Sequence, residues 1–171
     1  MKRMKRAAAV LLILAVFLTA TACGGNGGVS AGTSSGANEP FVFCIGKTVL
    51  MPGAVFDPSA LPEPDGTEEI PTDEGSDTQY FYGDVEITTH KENGVEKIYS
   101  IYFMKNTVAT GEGVTVGDPL SKVQAAYGEP VSQLGTEYVY ERDGVMLIFI
   151  IRDSIVQSVE YGVDDGAAPE E

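Results

Sequence analysis

The chain has 171 residues, of which 43% are hydrophobic and 21% charged, enough for one domain with a modest core. Its 25 acidic residues outnumber the 11 basic ones, and the formal net charge is −14. Because a strongly acidic surface repels phosphate backbones, we exclude nucleic acid as a partner.

The first 22 residues predict a secretory signal peptide. Four basic residues precede position 7, an uncharged apolar run follows, and small residues lead up to Cys23. The apolar run is short for a spanning helix, which needs about 20 residues. Small residues directly before a cysteine resemble the lipobox of bacterial lipoproteins. The resemblance implies cleavage before Cys23 and acylation of its sulfur with diacylglycerol.

Residues 23–38 predict a flexible, lipid-anchored linker, because they are rich in glycine and serine. Removal of residues 1–22 takes away four of the 11 basic residues and none of the 25 acidic ones, which leaves a net charge of −18. The expected location is the extracytoplasmic face of a bacterial cell membrane. Acylation occupies the sulfur of Cys23, so we expect no disulfide with Cys44.

Residues 39–108 form the first of two predicted repeats. "FVFCIGKTVLM" indicates one or two strands, and "TQYFYGDVEITTH" and "EKIYSIYFMK" indicate a hairpin around Asn93-Gly94. Between them, three prolines leave room for a degenerate helix of about one turn at most. We expect the acidic segment at residues 62–78 to be a mobile loop.

Residues 109–163 form the second predicted repeat. "GVTVG" indicates a short strand, and the next segment predicts a helix at residues 119–127 with Asp118 as its N-cap and Gly128 beyond its end. A three-stranded meander follows, with tight turns at Asp143-Gly144 and Asp153-Ser154. The acidic tail at residues 164–171 is expected to be disordered.

The elements occur in the same order in both halves, which favours an internal duplication. The predicted fold class is therefore α+β: two tandem repeats, each a short helix packed on a small antiparallel β-sheet. The strand "VMLIFII" is apolar on both faces. We expect one of its faces to meet the helix and the other to meet the sister repeat.

The segment "GDPLSKVQAAYGEP" before a strand meander resembles clostridial-type surface lipoproteins. It resembles, more distantly, the β-lactamase-inhibitor-protein-like fold, which includes small lipoproteins of outer-membrane barrel assembly. The residues that carry the resemblance are Gly117, Asp118, Val123, Tyr127, Gly128 and Pro130. The resemblance implies a non-enzymatic, protein-binding chain and supplies no catalytic residue.

Five tyrosines are the candidate protein-binding residues. Tyrosine is enriched at interfaces because it buries a large area and keeps a polar group. The alternative is that the paired tyrosines pack under the helix as core residues. The candidates are Tyr80, Tyr82, Tyr102, Tyr138 and Tyr140.

The acidic segment supplies calcium candidates in Asp65, Glu68, Glu69 and Asp73, since calcium prefers hard oxygen ligands. Their spacing does not fit an EF-hand loop. His90 is the one histidine of the chain and builds no recognisable zinc site or triad alone. We therefore expect no catalysis and no cofactor. The preferred function is a membrane-anchored, protein-binding lipoprotein with an unknown protein partner; the alternative is a solute- or calcium-binding surface lipoprotein.

Overall fold

The computed structural model describes residues 40–72 and 75–163. The predicted signal peptide, the linker and the acidic tail lie outside the described residues. The elements, in chain order, are β1 (Phe43–Ile45), β2 (Thr48–Leu50), a 3-10 helix (Pro58–Ala60), β3 (Gly66–Thr72), β4 (Gly75–Tyr82), β5 (Val85–Glu92), β6 (Val95–Phe103), α1 (Leu120–Tyr127), β7 (Ser132–Leu134), β8 (Glu137–Arg142), β9 (Val145–Arg152) and β10 (Ile155–Val163).

Eight strands form one antiparallel sheet in the order β3-β4-β5-β6-β10-β9-β8-β7, and β1 and β2 form a separate hairpin. The predicted α+β fold of two helix-on-sheet repeats is therefore wrong. The last strands of the two meanders pair with each other, with Val159 opposite Phe103, so the halves share a sheet. Among the described residues of the first half there is no α-helix, because the Pro58 segment forms a single 3-10 turn.

The short turns of the meanders are confirmed. Asp143 and Gly144 both have positive φ, at 49° and 76°, and so have Asp153 and Ser154, at 52° and 62°. Two consecutive residues with positive φ give the turn whose twist matches that of the flanking strands. These turns fix the register of the hairpins that they close.

The predicted mobile acidic loop at residues 62–78 is wrong. β3 and β4 pair along their whole length, from Gly66 opposite Phe81 to Thr72 opposite Gly75. β3 is an edge strand and its side chains are mostly exposed, so its carboxylates stay hydrated. Charged side chains on an edge strand also prevent pairing with other chains.

The two meanders correspond closely in register. Tyr80 lies opposite Ile87 in the first meander, and Tyr140 lies opposite Leu147 in the second, each pair two residues from the turn. The β5–β6 hairpin has a register shift beside Thr88, and the β9–β10 hairpin has one beside Ser158. The correspondence holds for strand pairing, while the elements that cover the two halves differ.

One face of the sheet is covered, and we call it the inward face. Phe43 of the β1–β2 hairpin lies 5.8 Å from Phe103 of β6 between ring centroids. Phe56, before the 3-10 helix, lies 4.7 Å from Tyr80 of β4. Tyr127 of α1 lies 5.5 Å from Phe149 of β9. Three different segments therefore bury the inward side chains of the two meanders.

The helix α1 begins one residue later than predicted. Its N-cap is Pro119 and has no side-chain cap hydrogen bond, so the prediction that Asp118 caps the helix is wrong. The Asp118 carboxylate instead accepts hydrogen bonds from the Thr115 backbone N–H and from Lys122. The helix ends at Gly128, whose φ is 78°, as its sequence position predicts. Residues 114–116, predicted as a short strand, lie in a loop.

Candidate functional site

The outward face of the sheet has no covering element among the described residues, because β1–β2, the 3-10 helix segment and α1 all pack on the inward face. We call it the open face. Alternate side chains of a strand point to opposite faces, so the register identifies its members. Its apolar and aromatic members are half-buried: Phe81, Tyr102, Val139, Met146, Ile148 and Ile150.

Direct cross-strand neighbours form a continuous row across the open face. Glu86 lies opposite Tyr102, Tyr102 lies opposite Glu160, and Glu160 lies opposite Ile148. The row continues to Phe81 on β4 and to Val139 on β8. Neighbours in such a row have Cβ atoms about 5 Å apart, so these side chains contact one another.

The apolar character of the open face comes mainly from β9. Its side chains alternate between fully buried inward positions and half-buried outward ones, and the outward ones are Met146, Ile148 and Ile150. We expected the sister repeat to cover these residues. That expectation is wrong, because the first meander joins the second edge to edge within the sheet rather than face to face. Three apolar side chains of a central strand are thus left toward solvent.

Three half-buried carboxylates, Glu86, Glu137 and Glu160, lie among the apolar side chains of the open face, and the carboxylate of Glu141, opposite Met146, is exposed. Burial raises the pKa of Glu160, and the nearby charges of Glu137 and Glu86 raise it further. Gln79 donates a hydrogen bond of 2.9 Å to Glu86. Within residues 40–72 and 75–163, none of the ion pairs involves any of the three. The cluster therefore lacks a counter-ion in the part of the chain that the structure describes.

A shallow hollow of about 160 Å³ opens at one end of the row. Phe81, Glu86 and Tyr102 line it, together with Met104, which is 60% exposed. Lys105 at its rim pairs with Asp84 at 2.5 Å, so this cation is already engaged. The hollow is a depression in the open face beside the carboxylate of Glu86.

The structure separates the five candidate tyrosines. Tyr82 and Tyr140 are 9% and 3% exposed on the inward face, and Tyr80 and Tyr138 pack against the same core. These four occupy the core positions that the sequence left open as the alternative. Tyr102 lies on the open face and is half-buried. Of the five, Tyr102 is therefore the tyrosine that a partner reaches without disturbing the core.

The calcium candidates do not converge. Glu68 and Glu69 are consecutive residues of β3, so their side chains point to opposite faces. Asp65 accepts a hydrogen bond of 2.6 Å from the Gly83 backbone N–H, and Asp73 lies outside the described residues. No group of three or more potential metal ligands occurs among the described residues.

The side chain of His90 contacts a carboxylate and is not fully solvated. Its Nδ1 lies 2.6 Å from Asp77 Oδ1 on the neighbouring strand, a pairing that the sequence analysis missed. A second hollow beside it is lined by Glu92, Lys97 and Tyr99, among others, and by no serine, threonine or cysteine. An Asp–His pair orients a base for a nucleophile, and the lining of this hollow offers no hydroxyl or thiol of that kind.

Cys44 is buried in β1 and is disulfide-bonded. The expectation of no disulfide is therefore wrong for this structure. The other cysteine of the chain is Cys23, which lies outside the described residues. Since a thioether and a disulfide need the same sulfur, acylation of Cys23 and an intrachain disulfide to Cys44 are alternatives.

No protein-family model, no curated protein and no solved structure matches the chain. The resemblance to surface lipoproteins therefore stays a prediction. Among the described residues, no helix has the length and apolar character needed to cross a bilayer. The open face was not predicted as a site, although β9 is apolar on both sides and that pattern indicates it.

Proposed function

We propose that this chain is a non-catalytic, lipid-anchored extracytoplasmic protein that binds another protein through its open face. The observation that carries the proposal is the outward row of β9, where Met146, Ile148 and Ile150 stay half-buried without a covering element among the described residues. A contiguous patch of apolar side chains on a protein surface often marks an interaction site, whereas single exposed apolar residues are common and need no explanation.

The edges of the sheet are poorer binding sites than its open face. β3 at one edge carries Glu68, Glu69 and Pro71, all of which oppose the addition of a further strand. β7 at the other edge has only three residues. Strand addition needs a longer and less charged edge, so a partner is more readily bound across the face of the sheet.

Anchoring is proposed from the lipobox-like sequence before Cys23 and from the linker that follows it. A linker of residues 23–38 would let the domain turn its open face toward partners near the membrane. Anchoring would also raise the local concentration of the domain at the envelope, so that a face of moderate affinity could suffice.

The anchor is tested by detergent-phase partitioning of Cys23→Ser from cells that process the signal peptide. We expect the variant to leave the detergent phase, while the matched control Cys44→Ser stays in it. Mass spectrometry of the mature N-terminus adds the chemical readout, because a diacylglyceryl thioether and a disulfide differ in mass. Retention of Cys23→Ser in the detergent phase would overturn the lipid anchor.

Binding is tested with a photo-crosslinking amino acid placed at position 148 of the full chain in intact cells. We expect one defined protein adduct there. A probe at position 49 should not form it. Val49 is 42% exposed, but it lies on the β1–β2 hairpin, which covers the inward face. The double variant Met146→Ser/Ile150→Ser should lose the adduct, and Val49→Ser should keep it. Equal adducts from positions 148 and 49 would count against binding by the open face.

A further inference from the structure

The carboxylates of the open face indicate which charge a bound partner carries. This inference rests on the proposed function. Glu160 is the outward residue of the central strand β10, with Tyr102 beside it on β6 and Ile148 beside it on β9. A carboxylate surrounded in this way by larger side chains is partly removed from water.

The neighbouring negative charges raise the free-energy cost of keeping Glu160 ionised. Glu86 lies two strands away on one side and Glu137 two strands away on the other, in the strand order of the sheet. The pKa of Glu160 rises because of its burial first, and because of Glu137 and Glu86 second. Three like charges that share one face repel one another unless a cation lies between them.

The described part of the chain does not supply that cation to Glu160. Lys105 and Lys122 are engaged by Asp84 and Asp118. Arg142 is on the inward side, where it pairs with Glu112 and lies 4.5 Å from the centroid of the Phe41 ring. The other basic residues of this part of the chain, Lys47, Lys91, Lys97 and Arg152, take part in none of its ion pairs, so Glu160 has no paired cation within residues 40–72 and 75–163.

We propose that the open face binds a protein segment that presents a lysine or arginine side chain between apolar side chains, with Glu160 as the central counter-ion. The apolar flanks of the segment would cover Ile148 on one side and the hollow beside Tyr102 on the other. Covering the face removes water from the ion pair and strengthens it.

The same charges disfavour two other occupants. A second copy of this chain would place six carboxylates in one interface, which like-charge repulsion opposes. A bilayer with anionic headgroups is repelled by the carboxylates and by a mature chain of net charge −18. Both occupants remain distinguishable outcomes of the experiment below.

The test identifies the peptide that is joined to the probe at position 148 in intact cells. We expect a segment of another protein with a lysine or arginine within a few residues of the crosslink. The triple variant Glu86→Gln/Glu137→Gln/Glu160→Gln should lower the adduct yield at least about tenfold, since loss of a desolvated charge partner costs that much or more. The matched variant Glu63→Gln/Glu129→Gln, at exposed positions outside the eight-stranded sheet, should leave the yield unchanged.

Each outcome has a separate meaning. An adduct with a protein segment that lacks a cation, or one unaffected by the triple variant, overturns the cationic partner and leaves the proposed function standing. An adduct with lipid or with a second copy of this chain overturns both. Thermal unfolding of the triple variant must remain cooperative, so that a lower yield reports binding and not loss of the fold.

Discussion

The two meanders of the sheet have equivalent strand pairing but different covers. Tyr80 and Tyr140 occupy equivalent register positions, yet Tyr80 packs on Phe56 of an irregular segment, while Tyr140 packs on Tyr127 of α1. The polar groups differ as well. Tyr80 donates a hydrogen bond to Glu96, whereas Tyr127 donates to Glu112, which also pairs with Arg142. Cross-strand register therefore survives a change in the covering layer, because backbone pairing does not depend on what packs above it.

The halves also differ in what they leave outward. The first meander places Thr88 and Ser100 next to Glu86 and Tyr102 on the open face. The second meander contributes three apolar residues of β9. The difference means that any apolar partner gains most of its contact area from the second half. The first half contributes polar recognition and the hollow.

Core truncation in each half tests whether the halves unfold together. Phe149→Ala in the second meander and Ile87→Ala in the first each truncate a core side chain that is 0% exposed. We expect losses of about 3–5 and 2–5 kcal/mol in the free energy of unfolding. Because β6 and β10 join the halves, urea denaturation followed by circular dichroism and by tyrosine fluorescence should give one coincident transition in each variant. Two separate transitions, with only one shifted by each substitution, would mean that the halves fold independently.

The polar contacts of the two covers should differ in strength. Tyr127→Phe leaves Glu112 without one hydrogen-bond donor in a buried site, so we expect a loss of about 1–3 kcal/mol. Tyr80→Phe removes the bond to Glu96 at a less buried site, and we expect a loss of about 0.5–1.5 kcal/mol. Chemical denaturation of both variants measures the difference. A larger effect at Tyr80 would reverse our ranking of the two covers.

Alkaline pH gives a second readout for Tyr80. Burial and the hydrogen bond to Glu96 raise its pKa to about 12 from 10.0. The folded state therefore holds the proton more tightly than the unfolded state. Its stabilising contribution is complete below pH 10.0 and is lost as the pH rises to about 12. Ultraviolet titration of Tyr80→Phe should lack the step near that pH.

The smallest expected effect concerns the charge cluster of the open face. Since the pKa of Glu160 is raised, its ionisation opposes folding at neutral pH. Glu160→Gln should therefore stabilise the protein, by about 1 kcal/mol or less for a partly exposed position. The gain should vanish at acidic pH, where the carboxyl group is protonated in both states. Glu141→Gln, at an exposed position of β8, is the matched control and should change stability little at either pH.

The strands and turns of both meanders were largely predictable, because period-two alternation and the Asn-Gly and Asp-Gly pairs act locally. The five-tyrosine binding site was not, since alternation places Tyr80 and Tyr82 on one face without saying which face is covered. The acidic segment was predicted as a loop because seven carboxylates within residues 63–77 suggest a solvated loop, although the edge of a sheet accommodates a charged strand as well. The helix cap failed because Asp118 bonds to Thr115 instead of the helix N-terminus.

The sequence by itself determined the alternation of the strands, the hairpin turns and the surplus of acidic charge, because these depend on neighbours along the chain. The tertiary structure alone decided that the two meanders join through β6 and β10 rather than face to face. That pairing is between strands more than 50 residues apart, and no local pattern specifies it. It leaves the outward side of β9 uncovered by the described residues, and with it the three carboxylates on which the proposed partner depends.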